Sequence, residues 1–127
     1  MVIGKVSGWN IAEGLERFKG SMEDYTSALR EYAKDIRSLL KTIEDIDKRW
    51  LNSYRLIIRS IKGASFEISA DQVGDMARGL ERAADVGNIE YIRKHNPIFL
   101  DAVHKFLDQL DTALTKIDTE SKVESTP

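Results

Sequence analysis

The sequence predicts an all-α protein: an antiparallel, up-down-up-down four-helix bundle, with a short helix at the front and a short extra helix before the last long one. Three observations predict it. Apolar residues recur at steps of three and four along most of the 127 residues, which draws one stripe along each helix. No segment alternates at the strand period, and no internal repeat stands out. Capping residues and glycine separate the stripes at short intervals, and short connections between amphipathic helices favour antiparallel neighbours.

Taken in chain order, Asn10 caps a short helix bearing Ile11, Leu15 and Phe18. Ser21 is the expected N-cap of the first long helix, with Glu23 and Asp24 near its positive end. Its stripe is Met22, Tyr25, Leu29, Tyr32, Ile36, Leu39 and Ile43, and the helix reaches about Glu44. A second long helix is predicted from Asp47 to Ile68, with Trp50, Tyr54, Ile57, Ile61, Ala64 and Ile68 inward. Ser69, three residues before Gln72, has the spacing of a capping box. It opens a third helix carrying Val73, Met76, Ala77, Leu80 and Ala83–Ala84, which Gly87 stops by taking a left-handed conformation.

Asn88 then begins a short helix through His95, and Asn96-Pro97 reads as a cap followed by proline at the first helical position. The last helix follows to about Ile117, with Leu100, Val103, Leu107, Leu110, Leu114 and Ile117 on one face; a continuous helix kinked at Pro97 is the alternative. The domain is therefore expected to span 10–117, after an extension over 1–9. The tail over 118–127 has one apolar residue and is expected to be disordered.

Composition narrows the function classes. The length suits a single core. Formal net charge is −2, so no global field points to nucleic acid or membrane, and any electrostatic recognition must be local. There is no cysteine, hence no disulfide framework and no thiolate metal site. No apolar run has membrane-spanning length and the start lacks the apolar stretch of a signal peptide, so a cytoplasmic protein is expected; a monomer is the expected state. No Glu-x-x-His pair and no GxxxxGK loop is present, so no metal or other cofactor is expected.

One polar row does suggest recognition. Lys48, Asn52, Arg55, Arg59 and Lys62 follow one another at steps of four, three, four and three, away from Tyr54, Ile57 and Ile61. At about 1.5 Å per residue the row is roughly 21 Å long. It carries four cations and no acid, whereas a solvated face usually mixes signs. Gly63 sits beside it inside a predicted helix, where glycine costs about 0.5–1 kcal/mol relative to alanine. Close approach of a partner to the backbone explains such a glycine; a neutral accident or a helix-packing contact explains it too. A polar stripe is also what any amphipathic helix shows to water.

The string Arg59-Ser60-Ile61-Lys62-Gly63-Ala64-Ser65 resembles the motif of histidine-containing phosphotransfer (HPt) domains. There a histidine is followed by a small hydroxyl residue, an aliphatic, Lys-Gly and a small residue. The likeness extends over about residues 10 to 115. Ile11–Gly20 is similar to the family's short leading helix, and Tyr25–Leu40 to its first long helix. Ser69-Ala70-Asp71 with Val73-Gly74 continues its pattern, and Leu80-Glu81-Arg82-Ala83-Ala84 with Gly87-Asn88 is similar to a recurring segment.

The resemblance implies a two-component phosphorelay module whose partner is a response-regulator receiver domain or a sensor histidine kinase. It implies that Lys62 helps hold a phosphoryl group, that Gly63 leaves room for it, and that the surface around them docks the receiver. The docking set expected is Arg59, Lys62, Gly63, Arg55, Asn52, Lys48, Ser60 and Phe66. The chain departs from the pattern at the reactive position. An imidazole can carry a phosphoryl group, whereas the guanidinium of Arg59 stays protonated and offers only donors. His95 and His104, the only histidines, are not followed by Lys-Gly. The expectation is thus a non-transferring binder rather than an enzyme. Two alternatives stand beside it: a phosphotransfer protein whose acceptor was substituted or relocated, and a purely structural helical adaptor.

Overall fold

The computed structural model describes residues 8–124, which fold into five α-helices, with no strand among the described residues. They are α1 (Ile11–Arg17), α2 (Met22–Leu40), α3 (Leu51–Glu67), α4 (Asp71–Asp85) and α5 (Ile89–Glu124). Residues 1–7 of the expected extension, and 125–127 of the expected tail, lie outside the described residues. No described helix is long and apolar enough to cross a membrane.

Local chemistry sets most boundaries. The Asn10 side chain accepts from the Glu13 N–H at 3.0 Å and Ser21 Oγ from the Asp24 N–H at 3.2 Å. Asn88 Oδ1 accepts from the Tyr91 N–H at 3.1 Å and opens α5. Gly87, at φ 71°, closes α4: its own N–H reaches Ala84 O and the Asn88 N–H reaches Ala83 O, a Schellman closure.

The core is shared by α2, α3, α4 and α5, with the most extensive contact between α3 and α4. Tyr25, Leu29, Ile58, Ile61, Phe99 and Leu107 are fully buried within it. Burying a side chain of this size stabilises by about 1.5–3 kcal/mol relative to leaving it exposed. α1 lies on α2, where a Cβ on Gly14 would sit 2.2 Å from the Tyr25 hydroxyl, so only glycine fits.

Several expectations are corrected. The second helix does not begin at Asp47. The Asp47 carboxylate accepts from the Arg49 N–H at 2.9 Å and tightens Lys48–Trp50 into a 3-10 turn, so α3 starts at Leu51. Trp50, expected inward, is 62% exposed there. The buried face of α3 is Tyr54, Ile58, Ile61 and Ser65, rotated slightly from the predicted stripe, with Ile57 and Ala64 at its half-buried margin. The first long helix likewise ends at Leu40, followed by a 3-10 turn over Lys41–Ile43.

The capping box at Ser69 does not form. Ser69 has φ 62° and is the left-handed residue closing α3: its N–H reaches Phe66 O and the Ala70 N–H reaches Ser65 O. Ala70 is the cap position of α4 and supplies no side-chain acceptor. The cap role passes in part to the chain before α1, since the Gln72 N–H donates to Gly8 O at 3.1 Å. Asn10 N–H donates to Ser69 O at 2.9 Å. Trp9, assigned by sequence to the extension, is a core residue whose indole N–H donates to Tyr25 Oη at 2.9 Å.

The two helices expected on either side of Asn96 are one, and Pro97 lies inside it. Asn96 is not a cap. It is buried and its side chain bridges outward, to Ile43 O at 2.8 Å and to the Tyr54 hydroxyl at 2.8 Å. α5 also continues through 118–124, the segment expected to be disordered, and Asp118 pairs with Arg30 on α2.

Candidate functional site

α3 presents the polar row because its opposite face is committed to the core. At 3.6 residues per turn, Leu56, Ser60 and Gly63 fall on the side directly opposite Tyr54, Ile58, Ile61 and Ser65. Arg59 lies next to them, and Arg55 and Lys62 lie further round. Asn52, Arg59, Ser60 and Gly63 are exposed, and Arg55 and Lys62 are half-buried. Leu56 is 49% exposed, an apolar side chain that the sequence reading did not single out.

The row is not a free cationic surface, because α4 supplies acids. Lys62 Nζ donates to Glu81 Oε1 at 2.7 Å and to Oε2 at 3.1 Å. These two side chains are 27% and 15% exposed. Arg55 Nε stands 3.7 Å from Asp85 Oδ1, and its Nη2 donates to Asn52 Oδ1 at 3.0 Å. Glu81 and Asp85 are four apart, so they share a face of α4. That spacing, beside the inward Leu80 and Ala84, was the available signal in the sequence for the acids that meet the row.

Arg59 differs from its neighbours: it is exposed and makes no hydrogen bond or ion pair among the described residues. Its five N–H donors face solvent in a flat fork. Gly63 lies one turn on. A Cβ built there meets nothing within 4 Å, so no helix packs against this glycine and packing does not account for it.

The remaining predicted residues are placed differently. Ser60 Oγ donates back to Leu56 O at 3.1 Å. Phe66 is half-buried against α4, where a Cβ on Gly74 would fall 2.6 Å from its ring. The Arg78 guanidinium lies 4.9 Å from the ring centroid on the same side. Phe66 thus belongs to the α3–α4 contact. Lys48 is exposed but sits in the 3-10 turn, so the α-helical part of the row runs from Asn52 to Lys62, about 15 Å. His95 stacks on Tyr91 at 4.0 Å and His104 is exposed; both are on α5.

Among the described residues, no cluster of three or more His, Cys, Asp or Glu can hold a metal ion. What the arrangement can do is hold an anion at Arg59, beside an apolar contact at Leu56, with open backbone at Gly63. Comparison with family models, with curated proteins and with solved structures finds no match.

Proposed function

We propose that this chain is an HPt-like antiparallel four-helix bundle that docks a response-regulator receiver domain, or the sensor histidine kinase that addresses one, and transfers no phosphoryl group. The contacts between α3 and α4 support the bundle reading. They run in opposite chain order, Arg55 to Asp85, Lys62 to Glu81 and Phe66 to Arg78. The observation that carries the function is Arg59, exposed and unpaired among the described residues, at the motif position where the resembled domains hold an imidazole.

Receiver domains present a pocket of acidic side chains around a phosphorylatable aspartate. A guanidinium fork suits such carboxylates bidentately. Bound this way, the protein competes with true phosphotransfer partners or sequesters a receiver. The test is titration against purified receiver domains. Arg59→Glu is expected to weaken binding by about fivefold or more, the loss of a desolvated charge contact rather than a rim one. Unchanged affinity in a folded variant would reject α3 as the docking face.

A second reading is favoured by the same exposure. Because position 59 is solvent-facing and Gly63 leaves it uncrowded, an imidazole restored there is reachable. A phosphotransfer protein with a substituted acceptor therefore predicts that Arg59→His becomes an acid-labile phosphoprotein when a phosphorylated receiver is supplied. Intact docking without labelling excludes it.

A further inference from the structure

We infer that Glu81 sets the charge preference of the α3 face, so that the face selects a partner presenting one carboxylate-like negative charge over one presenting a phosphoryl dianion. The inference rests on the docking reading above and specifies which state of the partner is bound.

The Lys62–Glu81 pair has the least exposed side chains of the ion pairs among the described residues, at 27% and 15%. Two of the three ammonium donors are committed to one carboxylate, at 2.7 and 3.1 Å. For Lys62 to meet an incoming anion it must leave Glu81 or share it, and that anion then faces the Glu81 charge as well. Arg55 offers no substitute, being held between Asp85 and Asn52. Nor does Arg78, which is engaged with Asp75 at 3.3 Å and with the Phe66 ring.

Of the cations on the α-helical part of the row, Arg59 alone is unpaired among the described residues. Arg59, Lys62 and Glu81 together carry one net positive charge. A phosphoryl group carries about −1.5 to −2 at neutral pH, and its second charge finds no free cation on the α-helical part of this row. A carboxylate needs only the Arg59 fork, and Leu56 provides an apolar contact one turn away.

The test uses isothermal titration of the intact chain with magnesium-loaded receiver domains, each with and without beryllofluoride as the phosphoryl mimic. The wild type is expected to bind the unloaded receiver at least as tightly as the loaded one. Glu81→Gln keeps an oxygen acceptor for Lys62 but removes the charge, and should move the affinity ratio toward the loaded form by roughly threefold or more. Lys62→Met combined with Glu81→Gln should return the ratio to the wild-type value, because the freed cation is then gone. Melting curves report whether each variant is folded. A wild type that prefers the loaded receiver, or a ratio unmoved by Glu81→Gln, overturns the inference while leaving docking intact. Failure of the wild type to bind any receiver overturns the docking reading and this inference with it.

Discussion

Tyr54 donates its hydroxyl to Asn96 Oδ1 at 2.8 Å inside the core, so that oxygen is not free to cap a helix beginning at Pro97. The Asn96 amide also donates to Ile43 O at 2.8 Å, a carbonyl in the turn after α2. A cap would have used the Asn96 oxygen on its own helix. Here both ends of the side chain are committed elsewhere, tying α5 to α3 and to that turn. Pro97 then sits within the helix on the exposed side, next to exposed Ile98.

Asn96→Leu is therefore expected to destabilise the fold by about 2–4 kcal/mol, since it leaves the Tyr54 hydroxyl and the Ile43 carbonyl buried and unpaired. Tyr54→Phe strands only the Asn96 oxygen and should cost less, about 1–2 kcal/mol. Urea unfolding of the two variants measures the order. Adding Tyr54→Phe to Asn96→Leu should cost less than its separate effect, because the partner is already lost.

Ser69 makes the opposite prediction. It occupies the left-handed region at φ 62°, is fully buried, and its Oγ has no hydrogen-bond partner. Ser69→Gly removes both penalties at the cost of a more flexible unfolded chain, and should stabilise by about 0.5–1 kcal/mol. Lys19→Gly is the control. Lys19 closes α1 at φ 57° but is exposed, so it isolates the backbone part of the gain. If Ser69→Gly lowers the urea midpoint while Lys19→Gly raises it, the buried hydroxyl is a structural asset.

How much of this was legible in the sequence follows from how local each signal is. Asn10, Ser21, Asn88 and Gly87 act within one turn, so their residue types announce their roles. The exposure of Arg59 was legible because it follows from the period of the inward residues on its own helix. Asn96 and Trp9 were misread because their partners lie 53 and 16 residues away, at Ile43 and Tyr25, whereas Ser69 was misread because a non-glycine residue rarely takes the left-handed conformation that closes α3 there. The pairing of Lys62 with Glu81 is non-local in the same way. A helix face read alone shows its charges but not what the neighbouring helix sets against them.

The buried tyrosines give the fold an alkaline limit. Burial pushes the phenols of Tyr25, Tyr32 and Tyr54 above the ordinary 10.0; hydrogen bonds from Trp9 and with Ser65 only partly offset this at the first two. In the unfolded chain these groups ionise near pH 10, while in the folded protein they hold their protons to higher pH. Their contribution is therefore complete below about pH 10 and is lost as pH rises beyond it, by up to about 1.4 kcal/mol per pH unit for each tyrosine. Urea midpoints from about pH 8 to about pH 11 should fall steeply over the last unit. Tyr54→Phe should flatten that fall by one proton's worth, and an unchanged slope would mean that the Tyr54 phenol ionises in the folded state.

Gly63 separates what the fold needs from what a partner needs. It lies within α3, its Cβ position is open, and its φ is not in the left-handed region. Nothing among the described residues requires glycine here, so Gly63→Ala should stabilise by about 0.5–1 kcal/mol through helix propensity alone. If α3 docks a receiver closely, the added methyl sits where the partner approaches, and the more stable variant should bind more weakly. Thermal melts and receiver titrations on the same samples read both quantities. A gain in stability with unchanged affinity would mean that nothing comes near this backbone, and the face centred on Arg59 would lose its claim to be the docking surface.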